Sequence, residues 1–235
     1  MTRFVRRAGL GGTLAFLLGV APLLAQDAPD LSAVYNQAMG KFQAGDYRKA
    51  AADLEGLLGR VDFSPQLEPV YYTIGSAYFN AADYPKAIAA FKNYQAKFPQ
   101  GPHAGSVAFA IAQSNFLAKN YQVAAQQMAA LESDPAMRDQ ALLFKAEAEK
   151  ASGKSDDAVK TLERFIGNEI KSSNAMRGAT ILAQLYAGQG NGAKSLHVLE
   201  LIHQKVSLVD NVVELNSLTV QLGDKFYGKQ QYKEA

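Results

Sequence analysis

Two small residues twelve positions apart recur along this chain, and that recurrence restricts the fold more than any other feature. The pairs are Ala38 and Ala50, Gly75 and Ala87, Ala112 and Ala124, Ala146 and Ala158, Ala183 and Ser195, and Gly223 and Ala235. Successive pairs begin 37, 37, 34, 37 and 40 residues apart. A fixed period of this size marks stacked supersecondary units, none of which buries its apolar face alone. Small side chains on two facing helices let their backbones approach closely, and an aromatic at the start of the second helix fills the wedge beside the turn. That second place, nine residues after the first small one, holds Tyr47, Tyr84, Tyr121, Ser155, Gly192 and Tyr232.

Large apolar residues follow on the second helix of each unit at Leu54, Phe91, Met128, Leu162 and Leu199, and three residues later at Leu57, Tyr94, Leu131, Phe165 and Ile202. Spacings of three and four place them on one helical face. Asp46, Asp83 and Asn120 precede the second helices as candidate caps, and Pro85 falls in a first turn where its missing N–H costs nothing. The expected fold is all-α: a solenoid of antiparallel helix pairs. The expected units are 31–67, 68–104, 105–138, 139–175 and 176–215, with an incomplete sixth at 216–235.

The clearest unit is 71–99, YYTIGSAYFNAADYPKAIAAFKNYQAKFP. Its order of small residue, turn, Asp-Tyr, small residue, aromatic and proline resembles the tetratricopeptide repeat. The connection from Lys97 to Ala104 and the period of 37 residues resemble the cell-envelope branch of that family, which includes the periplasmic partner of the Tol-Pal system and the outer-membrane assembly lipoprotein. The resemblance implies a right-handed superhelix with a concave groove lined by the first helices. By position, the groove receives Tyr35, Met39, Phe42 and Gln43 from the first repeat, and Tyr72, Ser76, Phe79 and Asn80 from the second. Phe109, Gln113, Phe116 and Leu117 come from the third, and Leu143, Glu147 and Lys150 from the fourth. Aromatics beside amides suit an extended peptide or an apolar helix, since amides satisfy a ligand's backbone. The same aromatics also suit the seam between repeats.

Residues 1–25 have the order of a secretory signal: Arg3, Arg6 and Arg7, the apolar run Ala8 to Ala21, then Leu23-Leu24-Ala25 before an expected cut. The alternative is an uncleaved inner-membrane anchor, although the run is shorter than the roughly 20 residues a spanning helix needs. Residues 26–30 form a short N-terminal segment. Without the three signal arginines the chain carries a net charge of −1, which removes the basic footprint of a nucleic-acid binder. The absence of cysteine excludes disulfides, thiolate metal sites and a lipid-bearing cysteine among these residues.

His103, His197 and His203 show no metal-ligand spacing. Glu147 with Glu149, and Asp156 with Asp157, read as solvated charge. The run Gly188 to Gly192 reads as a turn between helices. No cofactor and no metal are expected. The expected protein is a non-enzymatic periplasmic scaffold that holds a peptide or protein partner of the cell envelope. The alternative is an interaction or oligomerisation module of a longer protein whose catalytic part follows residue 235, and the open C-terminal repeat suggests self-association.

Overall fold

The computed structural model describes residues 29–167 and 170–205, with a few further positions between 216 and 224. The expected signal at 1–25 lies outside the described residues, as does most of the expected sixth unit. Among the described residues ten α-helices follow one another, with one short 3-10 turn at Pro65–Leu67 and no strand. Two compact units divide at residue 119.

The first unit holds α1 (Pro29–Gln43), α2 (Tyr47–Leu58), α3 (Glu68–Asn80), α4 (Tyr84–Lys97) and α5 (Ala104–Leu117). The second holds α6 (Tyr121–Ala130), α7 (Arg138–Ala151), α8 (Ser155–Ile166), α9 (Ser173–Gly188) and α10 (Gly192–His203). Within each unit every helix packs on its chain neighbour, and α9 also packs on α7.

The recurring small residues do what their spacing requires. Ala38, Ala50, Ala87, Ala112, Ala146, Ala158 and Ala183 are completely buried. A Cβ added at Gly75 would stand 2.4 Å from the ring of Phe91, so glycine is what lets the Phe91 ring lie flat on α3. Burial of a side chain such as Phe91 contributes about 1.5–3 kcal/mol. In the fifth repeat Ser195 replaces alanine, and its hydroxyl donates to the Ala183 carbonyl at 3.0 Å, which satisfies the polar atom inside the pair.

Each turn inside a helix pair places one residue in the left-handed region: Gly45, Ala82, Lys119, Gly153 and Gly190. Backbone bonds such as Asp83 N–H to the Tyr78 carbonyl (2.9 Å) and Asn191 N–H to the Tyr186 carbonyl (2.9 Å) close the first helix in the manner of a Schellman motif. The run Gly188 to Gly192 is such a turn. Capping differs from expectation in two places. Asp83 accepts the Lys86 N–H at 3.4 Å, whereas Asp46 makes no cap bond and faces the Lys49 ammonium at 3.5 Å. Asn120 makes no side-chain cap bond, while Asn191 caps α10 through the Lys194 N–H at 3.2 Å.

Lys145, which occupies an apolar position of the fourth repeat, is accommodated by charge. Its ammonium lies 2.9 Å from Glu132 and 3.9 Å from Glu149. Glu149 is buried and accepts the Thr161 hydroxyl at 2.8 Å. The reading of Glu149 as solvated charge is therefore corrected: its neighbours on α7 and α8 supply the partners that a buried carboxylate needs. Glu147 is half-buried beside Arg177 at 3.4 Å, and burial pushes its carboxyl above the usual range.

Candidate partner-binding groove

All twelve residues expected from the first three repeats lie on α1, α3 and α5 of the first unit, and packing divides them into two layers. Tyr35, Met39, Tyr72 and Phe79 belong to one hydrophobic cluster. Ser76 is buried and donates to the Tyr72 carbonyl at 3.0 Å. Gln113 is buried as well, with no partner for its Nε2 among the described residues. The accessible layer consists of Gln43 and Asn80, which are exposed, and Phe42, Phe109, Phe116 and Leu117, which are half-buried. Four of these, Phe42, Gln43, Phe116 and Leu117, together with Asn80, stand in the last turns of their first helices. Of the fourth-repeat residues, Leu143 is fully buried in the second unit and Lys150 is half-buried.

The buried layer is held by aromatic contacts and one polar cluster. Phe42 meets Tyr47 edge-on at 5.2 Å, and Phe79 meets Tyr84 edge-on at 6.1 Å. These rings fill the wedge at the start of the second helix in the first two pairs. Tyr72 stacks on the His103 imidazole with ring centres 4.1 Å apart. Burial raises the Tyr35 and Tyr72 phenols above their ordinary range.

Beside Tyr72 stands a cluster that repeat position alone does not mark: Glu68, Tyr94 and His103. The Tyr94 hydroxyl donates to the Glu68 carboxylate and accepts the His103 backbone N–H at 3.1 Å. His103 Nδ1 lies 2.8 Å from the same carboxylate. Burial and then the Glu68 bond raise the Tyr94 phenol strongly. Together they pin the connection between α4 and α5 to the first turn of α3. The signal available in the sequence is a tyrosine at a core position, whose hydroxyl demands a partner once buried. The cluster acts as a structural brace, since Glu68 Oε1, the Tyr94 hydroxyl and the His103 backbone and ring join three separate segments. No group of residues suited to hold a metal ion occurs among the described residues, and no described helix is long and apolar enough to cross a membrane.

The family model of an outer membrane lipoprotein, YfiO, matches residues 27–115, the stretch that carries α1 to α4 and most of α5. No curated protein matches the chain. Among solved structures, the TPR-like repeats assigned to a Podosopora anserina kinesin light chain align with a TM-score of 0.57 at 18% identity, covering 76% of this chain and 96% of that one. A double mutant of MamA RS-1 aligns with a TM-score of 0.58 at 12% identity, covering 75% and 94%. MamA AMB-1 aligns with a TM-score of 0.55 at 15% identity, covering 80% and 98%. At these identities the likeness is one of fold. The chain has the fold of a tetratricopeptide-repeat solenoid.

Proposed function

We propose that this protein is a non-enzymatic scaffold of the bacterial cell envelope, exported by the segment at 1–25, and that it takes a peptide or protein partner on the first helices of its first unit. One observation carries the reading. The region similar to an outer membrane lipoprotein family, residues 27–115, spans the helices that carry both half-buried aromatics and exposed amides. Phe42, Phe109 and Phe116 offer apolar contact, while Gln43 and Asn80 offer amide donors and acceptors to a ligand backbone. Tyr35, Met39, Tyr72, Ser76, Phe79 and Gln113 form the floor that holds these groups in place. No residue of this chain can carry a thioether-linked lipid, because cysteine is absent. In this reading the protein works from the periplasm through protein contacts.

The test is site-specific photo-crosslinking in living cells from Gln43 and Asn80, with Lys160, an exposed residue of the second unit, as the control. A discrete envelope protein captured from the first two positions and not from the third is the expected result. Equal capture from Lys160, or none from Gln43 and Asn80, would remove the groove as the site.

A further inference from the structure

Helix α4 carries three lysines and no acid, and it sits in a longer acid-free stretch. Residues 84–131 contain no aspartate or glutamate, and their lysines are Lys86, Lys92, Lys97 and Lys119. Among the described residues no carboxylate pairs with the ammonium of Lys86, Lys92 or Lys97, although the same chain neutralises Lys41, Lys145 and Lys194. Two of the three are positioned by aromatic rings instead. Lys86 Nζ lies 5.3 Å from the centre of the Tyr78 ring, and Lys97 Nζ lies 5.2 Å from that of Phe63. Phe63 is itself 53% exposed, an uncommon state for a residue of its size that otherwise packs on Phe98.

Beside α4, where Ala90 and Asn93 line it, lies an open cleft of about 290 Å³. Leu58, Tyr71, Ile74 and Ala90 give it an apolar lining, and Glu55 and Asn93 stand at its edges. Positions 86, 90, 93 and 97 fall within about 60° of one another around α4, so Lys86 and Lys97 bracket the cleft on the same helix face. Three helical turns separate them, roughly 16 Å. Glu55, on the opposite rim, already accepts the Tyr78 hydroxyl at 2.9 Å. Positive charge therefore borders the cleft on the α4 side and negative charge on the α2 side.

We infer that this outer cleft is a second docking surface, for an acidic segment of a partner protein. One large apolar side chain of that segment enters the cleft, and a carboxylate on either side of it meets Lys86 and Lys97. In extended chain two carboxylates four or six residues apart face the same way and lie roughly 13 to 20 Å apart, which brackets the distance between the lysines. The rings under Lys86 and Lys97 hold the ammonium groups at both ends before the partner arrives, which lowers the entropy lost on pairing. The surface is built from α2, α3 and α4 and shares no residue with the groove expected on α1, α3 and α5.

The test is fluorescence anisotropy of the full chain with a labelled glycine-serine peptide in which two glutamates, about four residues apart, flank a central phenylalanine. Saturable binding is expected, weakened about tenfold or more by the double change Lys86→Glu and Lys97→Glu, and weakened again as salt rises to about 0.5 M. Asn93→Trp, at an exposed position, should block the cleft mouth and abolish binding with helical circular dichroism intact. Lys92→Glu, roughly 120° away around the helix, should change binding less than threefold or so. The inference is overturned if Lys92→Glu costs as much as the double change, or if the peptide with alanine in place of phenylalanine binds equally well. Binding of phosphatidylglycerol vesicles through Lys86 and Lys97, with no binding of the peptide, would overturn it too.

Discussion

Two clasps built from the same residue types, one in each unit, close in different ways. In the first unit Tyr78 of α3 donates to Glu55 of α2 at 2.9 Å, and Lys86 of α4 lies over the tyrosine ring. In the second, Tyr186 of α9 donates to Glu163 of α8, and Lys194 of α10 lies 5.1 Å from the tyrosine ring centre. The three residues hold equivalent repeat positions in the two units. The difference is the lysine. Lys194 also reaches Glu163 at 3.3 Å, so the second clasp neutralises its own charge, whereas the ammonium of Lys86 meets no carboxylate among the described residues. Equivalent sequence thus produces equivalent mechanical links and unequal surfaces: one unit spends its lysine internally and the other presents it.

The largest effects should come from the cores beneath the clasps. Phe91 and Leu162 occupy the same repeat position and are both fully buried. Phe91→Ala should destabilise by about 3–5 kcal/mol and Leu162→Ala by about 2–5 kcal/mol, measured by urea unfolding. Phe91→Ala should be the worse of the two, because the ring covers Gly75, which has no side chain to collapse into the space. A smaller loss for Phe91→Ala would mean that the first unit repacks more easily than its contacts imply.

Removing the clasp hydroxyls should cost less. Tyr78→Phe and Tyr186→Phe should each destabilise by about 1.5–3 kcal/mol, as expected for hydrogen bonds to carboxylates. A double-mutant cycle should then separate the units. Lys194→Met and Glu163→Gln should couple by about 0.2–1 kcal/mol, the range of exposed ion pairs, and Lys86→Met and Glu55→Gln should not couple measurably. Coupling in the first unit would show that Lys86 is not available to a partner.

The turns offer a still smaller contrast. Ala82 and Lys119 adopt φ of 57° and 66°, values that the equivalent Gly45, Gly153 and Gly190 reach without a Cβ clash. Ala82→Gly should raise stability by about 0.5–1 kcal/mol, and Gly190→Ala should lower it by about 1 kcal/mol, read as opposite shifts in melting temperature.

Titration should separate the clasps last. Burial first, then the Glu55 bond, pushes the Tyr78 phenol up to about 12. A raised tyrosine stabilises the fold below the ordinary phenol range, and that contribution is lost as pH rises from about 10 to about 12; Tyr78→Phe should abolish this part of the alkaline loss. Glu163 behaves oppositely. The Tyr186 bond first, and Lys194 after it, hold its carboxyl below the usual range against the opposing effect of burial. Its contribution is present at neutral pH and is lost as pH falls below the ordinary carboxylate range through the lowered value, so Glu163→Gln should flatten stability there.

The all-α repeat fold was legible because a 37-residue period leaves few ways to bury each apolar face, and Gly75 over Phe91 shows how directly a small residue encodes a close approach. The candidate groove was legible only as a set of positions. Phe42, Phe79 and Phe116 are equivalent by register, yet Phe79 is 7% exposed and the other two are half-buried. No pattern along the chain announces that Glu68, Tyr94 and His103 meet, because they come from the start of α3, the end of α4 and the loop beyond it. The outer cleft is equally invisible, since it needs Leu58, Tyr71 and Ala90 brought together from three helices.

By itself the sequence determined the helix pairs, their turns and the faces they bury, because those follow from periodicity and from local backbone chemistry. Tertiary structure alone decided which polar groups became paired. A hydrogen bond or ion pair depends on distances of about 3 Å between residues far apart in the chain, and a difference of one side-chain orientation separates Lys194 from Lys86.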